Sequence, residues 1–160
     1  VGKVYAIEPN VQALKILKDT YSDSNDVVIV DKALTDKDGE LEFFIHSQNS
    51  TISSANKYED LHDSYKVPAI SFKSFVKQYG LSKIDLMKVD IETGEYDLFD
   101  SLQKEDLDMI DNMLIEYHIG FAGRDIKDRK TITALLRGAG YDYIVSEQHA
   151  RGGFIFATKK

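Results

Sequence analysis

The chain has 160 residues, 42% hydrophobic and 29% charged, with a formal net charge of −7 and no cysteine. That length suits one domain with a sizeable core, and the acidic balance, without a basic cluster interleaved with aromatics, disfavours nucleic acid and anionic membrane surfaces as partners. The lack of cysteine excludes disulfides and thiolate chemistry and fits a cytoplasmic setting; no apolar run approaches the roughly twenty residues of a membrane span, and no signal-peptide pattern is visible.

Lys3 to Glu8 reads as a buried strand, and Pro9-Asn10 opens a helix with Asn10 as its N-cap and Val11, Leu14, Leu17 and Tyr21 on one stripe. Asp26 to Asp31 is a second strand, so the first part of the chain is a βαβ unit with parallel pairing. Asp38-Gly39 is a turn signal followed by the alternating Leu41, Phe43 and Ile45, which predicts a β-hairpin insertion. His46 to about Asp63 is polar and reads as a long surface loop. Val67 to Ser71 is a short extended piece, and Phe72 to Tyr79 a helix stopped by Gly80. Ile84-Asp-Leu-Met-Lys-Val-Asp90 is a strand, after which Thr93 is placed to cap a helix with Glu95 and Asp97 in its first turn. Met113 to His118 is a further strand, Asp125 to Arg137 an amphipathic helix ended by Gly138 and Gly140, and Tyr141–Val145 and Phe154–Thr158 an antiparallel pair turning at Arg151-Gly152-Gly153.

Three places concentrate chemistry. Glu8 ends the first strand before a helix, where an acid can accept hydrogen bonds from both hydroxyls of a ribose; a solvated strand-end carboxylate is the plainer reading. Alternation puts Ile84, Leu86, Lys88, Asp90 and Glu92 on one face that starts apolar and ends in one cation and two anions. Such charges belong where a strand leaves the core, which is also where open α/β sheets bind ligands. They suit a general base or a structural ion-pair network. Glu116 and His118 share a strand face, either as an oriented base or as a satisfied pair. His46, His62 and His149 fall in expected loops and form no ligand spacing. Asp90, Glu92, Glu95, Glu116 and His118 offer oxygen-rich ligands for magnesium, calcium or manganese, but the spacing demands no metal and none is assigned.

Val4-Tyr-Ala-Ile-Glu-Pro-Asn10, together with Ile84-Asp-Leu-Met-Lys-Val-Asp-Ile-Glu-Thr-Gly-Glu95, resembles the FkbM family of S-adenosylmethionine-dependent methyltransferases. Ala33-Leu-Thr-Asp36 with Gly39, the approach from Val67 to Phe75, Ile115-Glu-Tyr-His118 and Gly140-Tyr141 extend the likeness over nearly the whole chain. The resemblance implies an α/β fold with a Rossmann-like class I methyltransferase sheet. That sheet would be mostly parallel, with an antiparallel C-terminal strand pair and the hairpin insertion. It further implies that Glu8, with Pro9 beside it, holds the ribose of S-adenosylmethionine, and that Lys32 and Ala33 lie near adenine. Lys88, Asp90 and Glu92 would face the methionine portion and a small-molecule hydroxyl acceptor, a sugar or secondary metabolite. Asp90 is the first choice to align or deprotonate that hydroxyl, with Glu92 or His118 second.

Two departures accompany the likeness. The family's Glu-Gly-x-Glu is here Glu92-Thr-Gly-Glu95, with the glycine displaced by one. The first central strand and the glycine-rich loop are also missing from the motif order, so the expectation is a fragment with impaired cofactor binding, two open ladder edges, and a homodimer as one way to complete the sheet. Two other readings stand beside methyl transfer: a metal-dependent glycosyltransferase using the Asp90-x-Glu92 pair, and a nonenzymatic Rossmann-like binding or oligomerisation module.

Overall fold

The computed structural model describes residues 2–46, 53–54, 61–92, 94–119, 126–149 and 152–160. The βαβ unit forms as expected: β1 (Val4–Ile7) and β2 (Val27–Val30) pair in parallel across helix α1 (Val11–Thr20). Asn10 caps α1 through its side-chain oxygen, which accepts from the Gln12 and Ala13 amides at 2.9 and 3.1 Å and satisfies two otherwise orphaned donors. Of the expected apolar stripe only Leu14 is buried, while Val11 is 64% exposed.

The expected hairpin is corrected. Asp38-Gly39 does turn the chain, with Gly39 at φ 142, a conformation open to glycine but costly to other residues. The two strands flanking it do not pair. Both β3 (Ala33–Thr35) and β4 (Gly39–His46) lie against β6 (Leu61–Ser71), β3 in parallel and β4 antiparallel. Ala69 is the hinge of this arrangement, opposite Ala33 on one side and Gly39 on the other. Pro68, lacking an amide donor, sits just before β3 pairing begins, where one side of β6 needs no ladder bond. The two-residue β5 (Ser53–Ser54) pairs with β4, giving the order β3-β6-β4-β5. The expected loop from His46 to Asp63 is thus shortened at both ends by strand; its residues 47–52 and 55–60 lie outside the described residues. His46 and His62 belong to strands rather than loops, as does His149 further on.

Helix α2 (Phe72–Tyr79) is stopped by left-handed Gly80, as its sequence predicts, and is capped by Ser71. A third sheet follows. It contains β7 (Ile84–Val89), β8 (Ile110–His118), β9 (Tyr141–His149) and β10 (Gly152–Lys159), in the order β7-β8-β10-β9. β7 and β8 are parallel, and β10 is antiparallel to both β8 and β9. Helices α3 (Glu95–Ser101), α4 (Lys104–Asp108) and α5 (Ile126–Gly138) belong to this part of the chain.

The architecture is α/β with parallel and antiparallel pairing mixed. The expectation of one mostly parallel sheet is corrected: the described strands form three sheets, with three parallel pairs and four antiparallel ones. Among the described residues the outer edges of β1 and β7 have no ladder partner, and no helix is long and apolar enough to cross a membrane.

The main core is where the β7-β8-β10-β9 sheet meets α3, α4 and α5. Val89, Ile115, Tyr117 and Ile155 from the strands pack with Leu98, Phe99, Leu107 and Leu136 from the helices. Each such side chain contributes about 1.5–3 kcal/mol by leaving water. A second cluster of Val30, Ile70 and Phe75 packs with Tyr5 and Ile7, and Leu34 and Val76 touch both clusters and tie them together. Tyr141 anchors the start of β9: its buried hydroxyl lies 2.6 Å from both the Leu107 and the Ile110 carbonyl oxygens. Burial, with the charges of Asp108 and Asp111, pushes its pKa up to about 12, so it remains a donor throughout the neutral range. Tyr141→Phe leaves these carbonyls without that donor and is expected to lower unfolding stability by about 1–3 kcal/mol, read as a denaturant midpoint shift at unchanged slope.

Candidate active site

Strand β7 delivers the first charges. Met87 and Val89 point into the core, and Leu86 and Lys88 point out. The expected alternation is present, but the face shared by Leu86, Lys88 and Asp90 is the outer one, and Leu86 is 64% exposed. At the strand tip the Lys88 ammonium donates to Asp90 Oδ2 at 2.7 Å. This is the i, i+2 pair that alternation predicts, and it holds Asp90 in one orientation. Being largely in water, it adds little to stability.

The chain then turns sharply. Glu92 has φ 47, in the left-handed region that residues other than glycine rarely adopt and that costs roughly 1–3 kcal/mol to hold. The displaced glycine has a different task. Gly94 has φ −72, and a Cβ there would stand 3.1 Å from the Ile91 carbonyl oxygen that its own amide approaches. Gly94 therefore permits close approach and Glu92 takes the positive φ. The expected Thr93 cap lies outside the described residues.

Strand β8 brings the second set. Its parallel register with β7 pairs Val89 with Ile115, so the residues that follow, Asp90 and Glu116, end side by side, close enough to share a proton. Met113, Ile115 and Tyr117 point into the core and leave Glu116 and His118 on the opposite phase, as their spacing predicts. His118 Nε2 lies 3.5 Å from Glu92 Oε2 and 4.0 Å from Glu116 Oε1. Its Nδ1 lies 3.2 Å from Oε1 of Glu95, a carboxylate with no exposed surface in the first turn of α3. That same oxygen accepts the His118 amide at 2.8 Å, and Tyr96 donates its hydroxyl to the His118 carbonyl at 2.7 Å.

The carboxylates oppose one another. Burial raises the pKa of Glu92; the His118 charge lowers it, and Asp90, Glu116 and Glu95 raise it further. Burial likewise raises Glu116, helped by the charge of Asp90 and its hydrogen bond. For His118 burial acts downward, but the hydrogen bond to Glu95 and the charges of Glu95, Glu92 and Glu116 outweigh it and raise the pKa.

Glu8 reaches the group from β1. Its backbone amide bonds Val30 at the end of β2 at 3.0 Å, and its Oε1 accepts the Asn10 amide at 2.7 Å across the rigid Pro9. Burial raises its pKa against the pull of that amide, and Asp90 adds to the rise, so the tips of β1 and β7 share one field. Lys32 and Ala33 follow β2 at this same end. The Ala33 side chain is buried against Phe43 and Val67, which leaves its backbone as what it can present to a ligand, and the Lys32 charge acts on Asp38. The sequence gives no signal for Tyr65 or Tyr96, and it marks Glu95 only as a first-turn acid and a possible oxygen ligand, not as the buried partner of His118. Tyr65, on β6, hydrogen-bonds the Val11 backbone; burial raises its pKa and the Glu8 charge adds to the rise.

Among the described residues, no group of three or more His, Asp or Glu side chains is placed to hold a metal. A cavity of about 380 Å³ lies elsewhere, between α5 and β9. Its Arg129 is engaged by Glu147 and Tyr117, and its Arg137 by Tyr143. It gathers no opposed carboxylates and is not the centre of this chemistry.

The family model of the methyltransferase FkbM domain matches residues 1–143. The chain belongs to the FkbM methyltransferase family. The matched region contains every residue from Glu8 to His118 described above, so the acidic group lies wholly within the FkbM domain. No curated protein and no solved structure matches the chain.

The raised carboxylates have a stability consequence. A carboxyl whose folded pKa exceeds its unfolded value binds more protons in the folded state, so its contribution to stability falls as pH rises above the unfolded value, 4.5 for Glu92. Glu92→Gln removes that penalty. The variant is expected to melt above the wild type at pH 7, with the gain vanishing as pH falls below 4.5, measured by calorimetry across that range.

Proposed function

We propose that this FkbM domain is an S-adenosylmethionine-dependent O-methyltransferase acting on a hydroxyl of a sugar or secondary metabolite. The reading takes the fold as a Rossmann-like class I methyltransferase variant. One observation carries it: the charge of Asp90 acts on Glu8 at one strand tip and on Glu92 and Glu116 at its own and the next. A half-buried carboxylate suited to a ribose diol thus shares a field with carboxylates suited to a cation, and the donor set fits a cofactor with both features.

S-adenosylmethionine supplies an electrophilic methyl group on a positively charged sulfur. Glu8 accepts hydrogen bonds from the ribose hydroxyls, with Pro9 and Asn10 fixing its carboxylate. The backbone after β2, at Lys32 and Ala33, would hold the adenine. Asp90, kept in place by Lys88, orients the acceptor hydroxyl and takes its proton, and Glu92 and His118 are the next groups able to hold that proton. Positioning does most of the work in an in-line displacement, and fixed carboxylates favour a cationic sulfur in a low-dielectric cleft.

Titration calorimetry with S-adenosylmethionine tests the first half. Glu8→Ala is expected to weaken affinity about ten- to a hundredfold, the worth of about 1.5–3 kcal/mol of charged hydrogen bonding; unchanged affinity would overturn the role of Glu8. Asp90→Asn tests the second half. It is expected to slow S-adenosylhomocysteine formation with hydroxyl acceptors about 10²–10⁴-fold even at saturating cofactor.

A further inference from the structure

The methyl-transfer reading leaves one buried group unexplained. Glu95 has no exposed surface, and among the described residues its Oε2 is buried without a hydrogen-bond partner. Removing a carboxylate from water costs several kcal/mol unless something specific is gained. All its described hydrogen bonding goes to His118: Oε1 accepts the backbone amide at 2.8 Å and lies 3.2 Å from Nδ1. The neighbouring Tyr96 closes the other side by donating to the His118 carbonyl at 2.7 Å. Two consecutive residues of α3 therefore fix the last residue of β8 through both of its backbone groups and its ring.

We propose that Glu95 is a positioning residue that keeps the proton on Nδ1 of His118 and so presents Nε2, as the proton-exchanging atom, to Glu92 and Glu116. An ionised carboxylate only accepts, so a bare Nδ1 lone pair facing Oε1 at 3.2 Å would be repelled, whereas Nδ1–H is bonded. Among the described residues the opposite tautomer also forfeits the shortest ring contact, because the nearest of their acids to Nε2 stand at 3.5 and 4.0 Å. Among the described residues the groups bearing on the ring are Glu95 behind it and Glu92 and Glu116 in front. Asp90 lies beyond them, bonded to Glu116, and Lys88 acts on Glu116. All three acids around the ring favour the imidazolium, and the proton lost at higher pH is then the one on Nε2, facing Glu92. Only the use of that nitrogen to hold an acceptor proton rests on the methyl-transfer reading; the tautomer does not.

Ring-nitrogen NMR of protein labelled with ¹⁵N-histidine tests this in the chain as it stands. The chain has four histidines, and His118→Gln identifies the His118 signals by their loss. The expected wild-type result is the neutral Nδ1–H form in excess above the titration midpoint, with the Nε2 shift moving through it. A neutral Nε2–H form in excess overturns the proposal, whether or not Glu95→Gln folds. Glu95→Gln, close in shape, is expected to lower the midpoint and reduce the Nδ1–H excess; both values unchanged in the folded variant also overturn it. Failure to bind S-adenosylmethionine would count against the methyl-transfer reading and leave these ring measurements intact.

Discussion

Parallel pairing of β7 with β8 is the constraint from which the rest of the site follows. Two parallel neighbours end on the same side of a sheet, so the register that sets Val89 against Ile115 carries Asp90 and Glu116 out of the core together. A one-residue slip of β7 would turn Lys88 inward and Val89 outward, exchanging charge for core. The buried contacts of Val89, Ile115 and Tyr117 with α3 and α5 make that slip costly. Hydrophobic packing on one face of the sheet thus fixes the place of polar groups on the other.

The cluster so formed works against the fold. Glu92 is held in a left-handed conformation, and burial with neighbouring charges disfavours ionised Glu92 and Glu116. A sequence selected for stability alone would replace several of these groups, and concentrated strain and like charge are the usual mark of a functional site. The cost is contained locally. Lys88 pairs with Asp90, His118 lies among three acids, and Tyr96 and Glu95 keep the histidine in place.

Local signals in the sequence announced much of this. The βαβ unit, the Asn10 cap, the Gly80 stop, β7, the phase of β8 and the β9–β10 pair all depend on residues close together in the chain. What sequence could not reveal depends on distant partners. β3 and β4 flank a convincing turn and still choose β6, because Ala69 can stand between Ala33 and Gly39 only once a strand further along the chain has formed. Glu95 reads as an ordinary first-turn acid, and its burial is set by His118, 23 positions on. Its signal was present but indirect, in an acid placed three residues after Glu92 and directly before an aromatic. The displaced glycine is a further case: the positive φ falls at Glu92, and Gly94 is needed for room.

The central claim is that the tips of β1, β7 and β8 form one site for a cofactor with a ribose and a cationic sulfur. A crystal structure of the chain with S-adenosylhomocysteine tests it most directly. The account predicts ribose hydroxyls on the Glu8 carboxylate and the sulfur end toward Asp90 and Glu92. A ligand bound instead in the cavity between α5 and β9, or in contact with neither Glu8 nor the Asp90–Glu92 tip, would contradict it.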